Sequence, residues 1–273
     1  VSGEVNPSGR TVDTYVSNLK NAPWWNNFGD FKYTNTEELN SDSSFFDPEG
    51  TTPSFVNYVE GIYVGYKFYE TAYADGMEGF DYDKAVVYPF GYGLSYTTFT
   101  QKIDSMTEAD GIITLDVTVT NTGSAAGKDV VQVYYNPPYT NGGIEKASAN
   151  LIGFAKTSEI AAGASENVQV TFKAEDMASY DAHGKGCYVL EKGDYIISIN
   201  SDSHNVIDSK TYTVASDIVY NESNPRSSDQ TVATNEFDFA EGNVTYLSRA
   251  DGFANYAEAT AAPTDYSMPA EAK

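Results

Sequence analysis

The chain is poor in cations, cysteine and histidine. Its 273 residues hold 16 Lys and Arg against 39 Asp and Glu, a formal net charge of -23. Such a surface repels phosphate backbones and anionic headgroups, which sets nucleic acid aside as a partner. One cysteine, Cys187, allows no internal disulfide and no cysteine-based metal site, and His183 and His204 cannot build one alone. No metal and no cofactor is expected. No apolar run approaches the ~18 residues that a membrane span requires. The opening VSGEVNPSGR has neither a basic n-region nor an apolar h-region, so no signal peptide is visible. Without a leading Met the chain reads as a piece of something longer. The compartment stays open, a secreted or cell-envelope setting being favoured over the cytoplasm.

Several chemistries are missing as well. There is no Gly-x-Gly-x-x-Gly after a strand, no Gly-Lys-Ser/Thr phosphate loop and no Gly-x-Ser-x-Gly elbow. His183 and His204 each sit beside turn residues and read as surface-loop histidines, and Cys187 reads as a small buried hydrophobe. Acids are plentiful, so a two-carboxylate glycosidase site has to be weighed. Glu60, Asp75, Glu78, Asp81 and Asp83 are the candidates. An excess of acids makes chance pairs common, and each reads first as a structural carboxylate, with Glu60 expected to pair with Arg10 or Lys67.

What the chain does have is aromatic rings and alternating strands. Residues 1–98 are aromatic, Asn-rich and irregular, with a polar loop over 35–54. VEGIYVGYKFYE, at 59–70, is dense in β-branched and aromatic residues and predicts a buried strand, a short buried helix being the second choice. From residue 99 the texture changes: 111–123, 129–136, 147–157, 166–174, 186–200 and 208–215 read as strands separated by Gly, Asn, Pro and Ser. Short strands with regular turn signals over about 115 residues predict an antiparallel β-sandwich. Its core should include Leu115, Val117, Val119, Val131, Val133, Phe154, Val170, Phe172, Tyr195, Ile197 and Ile199. The remainder, 217–273, has the composition of a tail or linker.

Both tryptophans are adjacent, in NAPWWNNFGDFKY at 21–33. Neighbouring residues of an extended segment face opposite ways, so one ring is left to pack elsewhere or to stack on a ligand. Trp24, Trp25, Asn26, Asn27 and Phe28 are therefore candidate substrate-lining residues, rings for the C–H face of a sugar and amides for its hydroxyls. Packing is the competing reading.

Motifs spaced along the chain resemble one family. NPSGR (6–10), YVEGIYVGYKFYE (58–70) and YPFGYGLSYTTF (88–99) precede VTNTGSAAGKDVVQVYY (119–135), LIGFAKT (151–157) and LEKGDYIISI (190–199). In that order they closely resemble glycoside hydrolase family 3, the β-glucosidases and related exo-acting enzymes, over about residues 1–215. The resemblance implies that 1–98 is the C-terminal remnant of an α/β sandwich domain, 99–216 a fibronectin type III-like β-sandwich and 217–273 a tail towards a missing catalytic barrel. It makes the segment around Phe90, Gly91, Tyr92 and Gly93 a domain junction.

The family's nucleophile is an Asp in a TIM barrel and its acid/base a Glu upstream of NPSGR. Neither motif matches a position here, so no catalytic residue is assigned. The expected partners are the TIM barrel, the rest of the α/β sandwich and a β-linked oligosaccharide. After NPSGR the chain departs from the family's usual Leu-, Pro- and Thr-rich stretch, and FAEGNVTYLSRADG (239–252) resembles the entry segment of rearranged members whose barrel follows the fibronectin-like domain. A circularly permuted order is the expectation. A stand-alone carbohydrate- or surface-binding sandwich is the alternative.

Overall fold

The computed structural model describes all residues except 1, 2, 46, 47, 49, 230, 236 and 241, so part of the 35–54 loop lies outside the described residues. The first 98 residues carry three two-residue strands, β1 (Tyr15–Val16), β2 (Phe31–Lys32) and β3 (Ser54–Phe55), then helices α1 (Tyr66–Ala74) and α2 (Tyr82–Ala85) and strand β4 (Val86–Tyr88). β1 pairs with β4, and β2 with β3.

The strand expected over 59–70 is instead a turn running into α1. Gly65 at φ +57 turns the chain in a region that side chains with a Cβ rarely adopt. Once helical, Phe68, Tyr69 and Ala72 share a buried face at i, i+1 and i+4. Periodicity could not separate the two choices because the apolar and aromatic residues of the run follow neither a clean period of two nor one of 3.6.

The sandwich is built from β5 (Phe99–Ala109), β6 (Ile112–Asn121), β7 (Val130–Asn136), β8 (Asn150–Lys156), β9 (Ser165–Lys173), β10 (Ser179–Tyr180), β11 (Tyr188–Leu190), β12 (Gly193–Asn200), β13 (Val206–Val214) and β14 (Ile218–Tyr220). One sheet runs β5-β6-β9 and the other β13-β12-β7-β8, every pairing antiparallel. β10, β11 and β14 make a small third sheet. Alternation on β6 sends Ile113, Leu115, Val117 and Val119 inward, opposite Val168, Val170 and Phe172 of β9. Val131, Val133, Tyr195, Ile197 and Ile199 close the core from the other sheet.

Phe154 is the exception to the expected core. It lies on β8, the edge of the four-stranded sheet, and is 68% exposed. The β7–β8 register shifts at Val133/Tyr134, and a shift of one residue reverses which side chains face inward.

Residues 217–273 do not hang free as their composition suggests. β14 joins β11, and Leu247, Phe253 and Ala259 enter a second core with Tyr63, Phe68, Tyr69, Ala72, Tyr82 and Val86. Phe253 packs edge-on against Tyr63 and Phe68, while Tyr256 stacks on Phe68 at 5.6 Å. The tail therefore closes over the segment that begins the chain.

Burial fixes two opposite expectations in one sheet pair. Phe172→Ala should cost about 3–5 kcal/mol by emptying the core, whereas Phe154→Ala should stay within about 0.5 kcal/mol. Urea denaturation of the two variants checks this, and equal losses would count against the assigned faces.

Candidate functional site

The segment at 88–99 lies where the three parts of the chain meet. Phe90 stacks on Tyr66 of α1 at 4.7 Å, and the Phe90 carbonyl accepts from Ser203 N–H at 2.8 Å. Gly91 has φ +81, and a Cβ there would lie 2.1 Å from Gln132 Oε1. At Gly93 a Cβ would meet the Gly9 carbonyl at 2.6 Å and Arg10 Cδ at 2.7 Å. Thr11 N–H donates to the Tyr92 carbonyl, and Gly91 N–H to the Thr11 carbonyl, so NPSGR and the glycine run form one backbone unit. Each glycine is needed because another chain occupies the space of its side chain.

The outer face of β7 holds this unit. Gln132 Nε2 donates to the carbonyls of Gly91 (3.0 Å) and Ser201 (2.9 Å), and Tyr134 Oη donates to Gln132 Oε1 (3.0 Å). Just before β7, Asp129 accepts from Arg10 Nη2 at 2.5 Å and from Gln101 Nε2 at 2.8 Å. Arg10 is thus paired with Asp129, not with Glu60.

A buried polar cluster joins α1 to the loop before β13. Glu70 Oε1 accepts from Tyr82 Oη (2.6 Å) and Ser203 Oγ (2.8 Å), and Glu70 Oε2 lies 2.8 Å from His204 Nδ1. Tyr82 and His204 stack at 3.8 Å. His204 is therefore not a free surface histidine, and the only sequence signal for the cluster was an acid inside an otherwise aromatic helix. The bond to Glu70 raises the His204 pKa above its ordinary 6.5, against burial, which lowers it; Asp202 and Asp83 add to the rise. Burial raises the Tyr82 hydroxyl, and Glu70 raises it further.

The tail is fastened by ion pairing. Arg249 makes a two-pronged contact with Asp75, Nε at 2.5 Å and Nη2 at 2.7 Å, and donates through Nη1 to the Lys146 carbonyl. Its guanidinium lies 4.3 Å from the centre of the Tyr139 ring. Glu145 accepts from Tyr63 Oη, Ser248 Oγ and Arg249 N–H.

These contacts also account for three of the five candidate carboxylates, while Glu78 and Asp83 lie exposed on the surface. Asp75 is spent on Arg249, while Asp81 caps α2 and pairs with Lys84 at 2.7 Å. Glu60 is buried with Oε2 unpartnered, and desolvation raises its pKa; neither Arg10 nor Lys67 reaches it. Among the described residues, no three His, Cys, Asp or Glu converge as a metal-holding group.

The tryptophan loop folds as a short 3₁₀ turn over Trp25–Asn27. Trp24 packs on Trp25 at 5.7 Å and on Phe28 at 6.0 Å. Asn27 is buried, while Asn26 is exposed but anchored through its Nδ2. Nδ2 of Asn26 donates to the Thr260 carbonyl and Nδ2 of Asn27 to the Ala261 carbonyl, tying the loop to the tail. The surface left open belongs to the Trp25 edge and to Phe28, which is 67% exposed.

This architecture defines a two-sheet sandwich with a second, aromatic layer clamped to its β7 face. The fibronectin type III-like domain family matches residues 129–203. β-Glucosidase A of Butyrivibrio fibrisolvens is 37% identical over 211 residues, 71% of this chain and 22% of that protein. Among solved structures, a β-glucosidase from Paenibacillus barengoltzii aligns with a TM-score of 0.63 and 33% identity over 80% of this chain and 21% of its own. A glycoside hydrolase family 3 β-glucosidase from Bifidobacterium adolescentis aligns at 0.59 with 27% identity, covering 78% of this chain and 26% of its own. The chain is similar to part of these β-glucosidases and spans about a fifth of their length.

Two measurements follow from the junction. Gly93→Val should lower the melting temperature sharply, whereas Gly9→Ala, with nothing within 4 Å of its added Cβ, should leave it nearly unchanged. The second concerns pH. A raised folded-state pKa means that the His204–Glu70 contribution is fully present below His204's ordinary 6.5 and fades as pH climbs through the raised value. Melting temperature should fall across that window, and His204→Gln should flatten the slope.

Proposed function

We propose that the chain is the non-catalytic segment of a family 3 glycoside hydrolase of β-glucosidase type. The complete enzyme would release terminal β-D-glucosyl residues with retention, through a glycosyl-enzyme intermediate. The observation that carries this reading is the match of most of the chain to about a fifth of full-length β-glucosidases. The dispersal of Asp75 and Asp81 into ion pairs and a cap and of Glu60 into a buried orphan, with Glu78 and Asp83 exposed, supports it, since a retaining site needs two carboxyls about 5–5.5 Å apart.

In this reading the segment braces the catalytic parts of the enzyme. Residues 1–98 are the remnant of the α/β sandwich and 99–216 the fibronectin-like unit, to which Ile218–Tyr220 adds through its pairing with β11. The rearranged order, with the barrel after the fibronectin-like domain, belongs to the same proposal, and the adjoining coding sequence tests it. At the outer, aglycone side of the sugar site, Trp25 and Phe28 supply the apolar edge; Trp24 backs them, and Asn26 and Asn27 hold the loop rather than the sugar.

Purified chain should not turn over a nitrophenyl β-glucoside, and turnover abolished by Glu60→Gln would overturn the proposal. Binding on a glycan array without hydrolysis would favour the independent carbohydrate-binding module. In the complete enzyme, Trp25→Ala should raise KM for disaccharides several-fold more than for a small aryl glucoside, as loss of uniform binding does. Equal losses on both would place the loop in packing alone.

A further inference from the structure

A groove of about 1050 Å³ opens where α1, the sandwich and the tail meet, large enough for a ligand of two or three rings. One wall is braced from behind: Tyr63 donates to Glu145, which in turn holds Ser248 and Arg249. The side facing it is left unengaged. Lys67, Tyr135 and Ser179, each half-buried, line the groove together with the exposed His183, and among the described residues none of their side chains makes a hydrogen bond or an ion pair. Elsewhere most buried polar groups are matched, Glu70 by three donors and Asp129 by two. Half-buried groups left unmatched on one surface are what a polar ligand replaces.

Besides Glu145, whose carboxylate already accepts from Tyr63, Ser248 and Arg249, the charge on that surface is carried by lysine. Lys146 also lines the groove, but it is neutralised by Glu191 and by the Pro138 carbonyl. Lys67 has no such partner, and burial holds its ammonium below the ordinary lysine pKa. An unpaired ammonium in a partly dehydrated site is completed by one carboxylate. Around it the available groups are a phenol, a hydroxyl and an imidazole, which suit hydroxyls, and the Tyr135 and Tyr188 rings suit C–H faces. We propose that this groove binds a small polyhydroxylated carboxylate of the uronic-acid class, with Lys67 opposite the carboxylate. The inference stands apart from the glycosidase reading, because uronate binding by a chain of any other function would satisfy it.

The test uses the chain itself at about 0.15 M salt, where the long-range repulsion of its -23 charge is screened beyond about 8 Å. Reductive ¹³C-methylation of the lysines gives a Lys67 signal, assigned as the one missing from Lys67→Arg. A glucuronic-acid-capped disaccharide, cellobiose and sodium acetate are titrated in turn. The uronate should shift the Lys67 signal and bind at least about tenfold more tightly than either cellobiose or acetate, the scale of one charge-assisted contact. In calorimetry on unlabelled protein, Lys67→Met should weaken uronate binding about tenfold or more and Lys67→Arg should largely retain it. Should Lys67→Met fail to fold, the Lys67 signal and the arginine variant decide. Overturning results are no shift with the uronate, equal binding of acetate or cellobiose, and uronate affinity indifferent to Lys67. A Lys67 that is inaccessible to methylation in the complete enzyme, covered by its remaining domains, would overturn it too.

Discussion

Strand β7 is buried on both faces, and the rest of the chain is arranged around that constraint. Its inward side chains, Val131 and Val133, need only an apolar core, which β6, β9 and β12 provide. Its outward ones, Gln132 and Tyr134, are polar and equally enclosed. A buried carboxamide without partners costs about 1–3 kcal/mol, so the Gly91 and Ser201 carbonyls must lie where Gln132 Nε2 can reach them. The backbone approaches this closely only because residue 91 has no side chain. The aromatic junction is thus the outer half of a strand's hydrogen bonding, and it locates the first 98 residues on the sandwich.

From that anchor the other contacts follow in order. Tyr66 packs edge-on against Tyr134 and stacks on Phe90, and this seats α1. A seated α1 directs Glu70 into the loop at 201–205 and leaves Phe68 and Tyr63 as a platform for Phe253 and Tyr256. The tail then lands with Arg249 against Asp75. Charge enters the interior at these places as hydrogen-bonded sets, the condition under which a buried ion is tolerated. Glu60 and Lys67 escape that rule, and each is an ionisable group with no ion-pair partner among the described residues.

The resemblance to family 3 enzymes reads differently once these layers are visible. Segments that looked like separate motifs in the sequence, NPSGR at one end of the first part and the aromatic-glycine run at the other, are one backbone-bonded unit. Their spacing is a packing requirement between Gly93, Gly9 and Arg10. Of the acids that might have suggested catalysis, Asp81 is employed in a cap and Asp75 in the tail contact.

The sandwich was legible in the sequence because period-two alternation is a local property: Ile113, Leu115, Val117 and Val119 announce their inward face without reference to any other strand. The turns between strands were legible for the same reason, whereas a junction at 88–99 was implied by the family resemblance alone. Other features depend on partners far away in the chain. Phe154 alternates like a core residue, and only the bulged β7–β8 register and its edge position turn it outward. The run at 59–70 mixes apolar and aromatic residues with two glycines and three charges in no clean period, so strand and helix look alike until Gly65 and the tail choose between them. Asn26 and Asn27 looked like sugar ligands until Thr260 and Ala261 claimed their amides. The linker-like tail acquires a core role because Phe68 and Tyr63 leave an apolar surface that no other part of the described chain covers. What the sequence determined by itself was periodicity and backbone permission, and what tertiary structure decided was which buried polar groups meet, since contacts across more than a hundred residues leave no local trace.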